Sequence, residues 1–321
     1  MKISYQILAV LFLLASCGSS NLEAPKVEDG KADFSIAFGS CNKQYEPQPL
    51  WSVIEKNTPD LFIWGGDNIY ADTQDMSILE QEYQVQLNNP AYKNFKESIP
   101  IIGIWDDHDY GINDGGSNWK FKEESQNLFL DFFEVPTKSN RRKRKGVYYA
   151  GTFKTQEGSI KIMLLDTRYF RSPLVKSTNP NKRYEASPGT ILGEKQWEWL
   201  ETQITNSKAD FNIVVSSIQV LSQEHGFEKW DNFPQERSRL LELIKNSKAK
   251  NVVLLSGDRH ISEFSKIKME GKRYPLVDFT SSGLTHTYEE FSGEPNKHRV
   301  GEVITQKSFG LLKFDFDKNS L

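Results

Sequence analysis

The sequence predicts one α/β domain of two packed sheets flanked by helices. Three observations predict it. Short apolar runs bounded by Gly or polar residues recur as buried-strand signals. The first three alternate with helical segments, a βαβαβ beginning that implies a parallel sheet with right-handed crossovers. The second half repeats the same rhythm. In order, residues 33–38 read as a strand, 50–56 as a short helix ended by Pro59, and 60–64 as the second strand. Residues 76–87 read as a helix and 99–105 as the third strand. Residues 123–133 are amphipathic and helical, while 147–153 and 160–165 read as antiparallel strands joined near Glu157-Gly158. A helix over 192–206 carries Trp197, Trp199 and Leu200. Then follow a strand over 212–216, a helix over 235–246, and strands over 251–255, 275–280 and 310–316. No shift in composition marks a domain boundary.

With 321 residues, the chain has room for one large α/β domain or two small ones. Hydrophobic residues at 37% and aromatics at 12% supply a sizeable core. A net charge of −3 gives no charge-based signal for nucleic acid, and no such partner is expected. The run Arg141-Arg142-Lys143-Arg144-Lys145 reads as a solvated loop rather than a polyanion or membrane site.

Lys2 followed by apolar residues 7–14, too few to span a bilayer, reads as an export signal. Leu14-Ala15-Ser16-Cys17 resembles a bacterial lipobox, whose Cys is lipidated and becomes the new first residue. The expectation is a lipoprotein signal over residues 1–17 with Cys17 lipidated, a flexible tether over 18–31 and a folded domain over 32–321. It places the protein on the bacterial envelope membrane, on the periplasmic side or the cell surface. An ordinary cleaved signal with an incidental Cys is the alternative. No twin-Arg pair precedes the apolar stretch, so export is expected unfolded, with any cofactor acquired outside the cytosol.

Acidic and aromatic motifs follow the strands. Gly39-Ser40-Cys41-Asn42, Gly66-Asp67-Asn68-Ile69-Tyr70, Trp105-Asp106-Asp107-His108-Asp109 and Ser256-Gly257-Asp258-Arg259-His260 each sit after an apolar run. Ligands in α/β folds lie beyond the carboxyl ends of strands, so four strand ends can converge on one polynuclear metal centre. Only two Cys exist; with Cys17 lipidated, Cys41 has no partner and reads as ligated, or else as a buried structural thiol. Asp67 can bridge two cations, Asn68 offers a neutral oxygen, and Tyr70 a hard phenolate or a packing ring. Three carboxylates within Asp106–Asp109 repel one another unless cations neutralise them. Asp106 and Asp107 can both serve as ligands only if the backbone turns there. His108 is placed to protonate a leaving oxygen. Asn113 and Asp114 extend this loop. Asp258 and His260 have the D-x-H spacing that turns both side chains to one side. Arg168, in Leu165-Asp166-Thr167-Arg168, reads as a phosphate clamp or as a salt bridge with Asp166. His225, His286 and His298 lie outside these patterns and read as surface or packing residues.

Together with Gly193-Glu194-Lys195-Gln196-Trp197, these motifs resemble those of the PhoD-like alkaline phosphatases, a branch of the calcineurin-like metallophosphatases. The likeness runs from about residue 33 to 316. It implies a four-layer αββα sandwich of two mixed sheets and hydrolysis of phosphate esters with Fe(III) and Ca(II). Carried over, Cys41, Asp67, Tyr70 and Asp258 would hold iron, Asp67 and Asp106 calcium, with Asp107, Asn113 and His260 as further ligands. The segments that longer relatives add at both ends are missing, which implies a more open site. A phospholipase D-like diesterase acting on lipid head groups and a catalytically silent binding lipoprotein are the rival readings. A monomer is expected.

Overall fold

The apolar runs pair into two sheets in the computed structural model, which describes residues 32–321. In the first, β1 (Phe34–Gly39), β2 (Leu61–Gly65) and β3 (Ile101–Ile104) run parallel, and β13 (Gly310–Phe314) pairs antiparallel with β1. The second has seven strands. Its centre is parallel: β5 (Ser159–Leu164), β8 (Phe211–Val215), β9 (Val252–Ser256) and β11 (Leu276–Ser281). Antiparallel strands finish it, β4 (Tyr149–Lys154) beside β5, and β10 (Ser262–Ile267) then β12 (Arg299–Ile304) beyond β11. A ribbon of β6 (Val175–Lys176) and β7 (Tyr184–Glu185) stands apart. The proposed signal, Cys17 and the tether lie outside the described residues.

The period of two along each strand divides the molecule into layers. On β5, Ile160, Ile162 and Leu164 enter the core between the sheets, while Met163 enters a second core. On β8, Ile213 and Val215 face the first core and Val214 the second. Helices α6 (Gly193–Thr205) and α7 (Pro234–Asn246) close the second core with Trp197, Leu200, Leu240 and Ile244. On the far side, α1 (Leu50–Lys56) and α3 (Pro90–Ser98) cover β2 through an aromatic cluster. The Trp51 ring lies 5.3 Å from Phe62, 5.2 Å from Trp64, 5.1 Å from Tyr92 and 5.1 Å from Phe95. Each such pair adds about 0.5–1.5 kcal/mol beyond its buried area. With α2 (Met76–Leu87) and α5 (Lys122–Phe132) in the same outer layer, the order is helix, sheet, sheet, helix.

Besides the β6–β7 ribbon, four elements carry no apolar signal strong enough to predict them. β12 sits at a sheet edge with Val300 37% and Ile304 43% exposed, and β10 beside it leaves Phe264 44% exposed. α3 is defined by its cap: the Asn89 side chain accepts from the amides of Ala91 and Tyr92, with Pro90 at the first position. The single turn α4 (Asp107–Tyr110) is fixed by capping. The basic run corrects its reading as a solvated loop. Arg142 pairs with Asp131 at 2.7 Å and donates to Val135 O, and the Arg144 guanidinium lies 3.8 Å from the Tyr148 ring centre. Arg141 lies 4.7 Å over Tyr149, so two of its five cations hold the start of β4 and Arg142 holds the end of α5. Among the described residues, no helix is long and apolar enough to cross a membrane.

Candidate metal centre

The carboxyl ends of both sheets meet at one place. β1 leads to Cys41, β2 to Asp67, β3 to Asp106, β9 to Asp258, and β11 to Ser282. Backbone bonds lock the loops together: Cys41 N donates to Gly66 O, Asn42 N to Asp67 O and Gly257 N to Ser217 O. Gly66 is required, since a Cβ there would lie 2.7 Å from the Asp106 Cβ. Gly257 is required too, with a Cβ falling 2.6 Å from Ser40 Oγ.

Cys41, Asp67, Asp258 and His260 all take left-handed backbone, at φ of 62°, 51°, 67° and 54°. Such conformations cost non-Gly residues of order 1 kcal/mol or more each and gather at functional sites. Here they aim donor atoms inward.

Asp67 stands at the middle. One group joins it to Cys41 and His260, and another to Asp106, Asp107 and Asp258, with ligand atoms in each group within 4.8 Å of one another. Tyr70 belongs to the first, its hydroxyl donating to Asp67 Oδ2 at 3.1 Å and lying 3.1 Å from His260 Nε2. The Cys41 sulfur is 3.3 Å from Asp67 Oδ2 and 2.9 Å from Ser282 Oγ, which also accepts from the His260 amide.

In the second group the backbone does turn: Asp106 caps α4 and Asp107 is its first residue. Asp109 turns away from the centre, accepting from the Asp106 amide at 2.7 Å and from the Asn68 side chain. Asn113 Nδ2 and the Asp114 amide both donate to Asp107 Oδ2, so Asn113 orients a carboxylate. Asn68 Oδ1 and Asp106 Oδ2 are buried without a hydrogen-bond partner.

Arg168 is placed otherwise than a phosphate clamp requires. Its side chain is 0% exposed, with Nε 2.6 Å from Asp106 Oδ1 and Nη1 2.7 Å from Glu228 Oε2. Arg171 pairs with the other Glu228 oxygen at 3.0 Å. The predicted partner Asp166 instead accepts from the Arg168 and Tyr169 amides and from Trp105 Nε1. Arg168 is therefore a counter-charge behind Asp106, and no ester reaches it. His286, read as a surface or packing residue, packs against the site itself: its ring centre lies 5.0 Å from Tyr70 and 4.4 Å from His260. His225 is buried, a packing residue beside Phe227. Glu228, Arg171, Ser217 and Ser282 belong to the site without any motif that announced them.

The electrostatics show a shortage of positive charge. Burial and the Cys41 sulfur raise Asp67 well above the usual carboxylate range. Burial, with Asp106 and Asp107 adding to it, does the same to Asp258. Burial pushes Asp106 up to about 7, with Arg168 opposing. Burial would raise Asp107 too, but Arg168, His108 and the Asp114 amide hold it below the ordinary value. Burial pushes the Cys41 thiol up to about 11. Burial would lower His108, yet Asp107, Asp67 and Asp72 bring it up to about 11. Its Nδ1 lies 2.6 Å from Asp72 Oδ2. Crowded carboxylates, orphaned oxygens and a buried thiol are what cations would satisfy, so the donor set fits metal.

The chain is similar in sequence and fold to known proteins. A family model described as PhoD-like phosphatase matches residues 36–314. Alkaline phosphatase D of Bacillus subtilis (strain 168) is 30% identical over 287 residues, 74% of this chain and 47% of that protein. The chain thus spans about half the length of this curated relative. A solved structure of PhoD superposes with a TM-score of 0.68 at 18% identity, over 87% of this chain and 63% of that one. A dimetal phosphatase from Danio rerio superposes with a TM-score of 0.53 at 10% identity, over 86% of this chain and 100% of the other. These likenesses carry the metallophosphatase sandwich, and the family match carries the assignment: the chain belongs to the PhoD-like phosphatases.

Proposed function

We propose that the chain is a metal-dependent phosphoesterase that hydrolyses phosphate mono- or diesters, exported and held on the bacterial envelope membrane through Cys17. The observation that carries the enzymatic reading is the set of four carboxylates, Asp67, Asp106, Asp107 and Asp258, drawn within 4.8 Å of one another. Cys41, Tyr70, His260 and Asp67 would hold one metal. That mixed thiolate, phenolate and imidazole set suits Fe(III). Asp67, Asp106, Asp107 and Asp258, with the Asn68 oxygen nearby, would hold the other, and an all-oxygen set suits Ca(II). The resemblance alone had put Asp258 with iron; the donor groups favour His260 there instead.

When bound, the metals supply positive charge that neutralises the ester oxygens and acidifies a nearby water. The chain's own residues do the rest. His108 is 19% exposed at the edge of the cluster, and Asp72 orients its ring. With Asp72 against its Nδ1, the ring is placed to donate a proton to the leaving oxygen. Lys43 lies 5.7 Å from the Tyr70 ring centre and is exposed, adding positive charge at the mouth. Arg168 and Glu228 hold Asp106 in one orientation.

A soluble chain beginning at Asn21, assayed on paired mono- and diester chromogenic substrates, tests this. Expected is turnover abolished by chelation and restored by added Ca(II), with the mono/di ratio fixing the substrate class. Strong diester preference extending to phospholipid would favour the head-group reading. No turnover from folded, metal-loaded protein would sink the enzyme and leave the binding lipoprotein.

A further inference from the structure

The end of the sandwich opposite the metal centre carries a groove of about 590 Å³. It opens at the amino ends of β8 and β9, beside Phe211 and Val252. Its floor is apolar, with Phe211 and Leu276 each 2% exposed. Lys250, Lys272, Arg273 and Lys318 line it, with Lys250 3.8 Å from Asp210 and Lys318 3.1 Å from Asp315, both carboxylates outside the lining. Tyr274, at the rim, is 44% exposed. The Arg273 guanidinium lies 5.2 Å from its ring centre.

The described chain also begins at this end. Asp33 N donates to Phe314 O, and Asp33 Oδ2 accepts from the Phe316 amide. The Phe316 ring lies 5.8 Å from Phe211, which lines the groove. An exposed tyrosine among cations over an apolar floor matches an interface of head groups and upper acyl chains. We propose that this end is a docking surface for an anionic bilayer, so that the domain stands on the membrane with its metal centre turned to the solvent. The proposal rests on this face alone, independent of the catalytic reading and of lipidation at Cys17.

The test is co-sedimentation of the soluble chain beginning at Asn21, shown folded by circular dichroism, with vesicles of phosphatidylglycerol or of phosphatidylcholine. Expected is binding to the first, lost at high salt, and little to the second. Lys250→Glu/Arg273→Glu should weaken it about thirtyfold, and Tyr274→Ala less. Should the double variant misfold, Arg273→Gln reads the same contact alone. Equal binding to both vesicles, binding to neither, or wild-type binding by Arg273→Gln and Tyr274→Ala would overturn the proposal. Ester turnover stays at the wild-type level in either event, so a failure here is distinct from a failure of the phosphoesterase.

Discussion

The two flanks of Asp67 are built from opposite chemistry. On one side Cys41, Tyr70 and His260 meet with the exposed Lys43 over the Tyr70 ring at 5.7 Å; on the other Asp106, Asp107 and Asp258 crowd together with the buried Arg168 behind. The first flank is shaped by backbone, since Cys41 and His260 reach it from left-handed positions and Ser282 ties them together. The second is shaped by charge, through a buried chain from Asp106 to Arg168 to Glu228 to Arg171. One carboxylate shared between unlike flanks would let two unlike cations sit side by side, each with its preferred donors.

The largest break comes at the shared residue. Asp67→Asn should lower ester turnover by about three orders of magnitude and reduce both metals in elemental analysis. Retained activity would show that neither flank needs it. Next, the flanks should separate. Cys41→Ser should deplete iron and spare calcium, and Asp258→Asn should do the reverse; equal loss of both in each variant would mean one undivided site. Arg168→Met acts on the charged flank alone. It leaves Asp106 buried without its counter-charge and Glu228 with Arg171 alone, so unfolding stability should drop by about 3–5 kcal/mol, read by chemical denaturation. Loss of turnover with unchanged stability would instead return Arg168 to a substrate-binding role. The smallest effect belongs to Lys43→Ala, expected to raise KM a few-fold at low salt with kcat nearly unchanged.

Legibility followed the same divide. Apolar strands such as Leu61–Gly65 declare themselves because both faces are buried, and the ligand motifs directly follow them. The edge strand β12 does not, since water covers most of its residues and any sequence that tolerates pairing will serve. Cys41, Asp67 and Asp258 were legible from strand-end punctuation. Glu228 and His286 were not, for they lie in loops whose path is set by tertiary contacts: Arg168 and Arg171 hold the first, Tyr70 and His260 the second. Arg168 was found but misassigned, because its sequence position shows that it follows a strand and not that Glu228 waits beside it.

Anomalous diffraction from crystals of the metal-loaded protein, collected on both sides of the iron absorption edge, tests the shared-carboxylate account most directly. The account predicts two peaks astride Asp67, an iron peak bounded by Cys41, Tyr70 and His260 and a second, edge-insensitive peak bounded by Asp106, Asp107 and Asp258. A single peak, or iron seated among the three carboxylates, would contradict it.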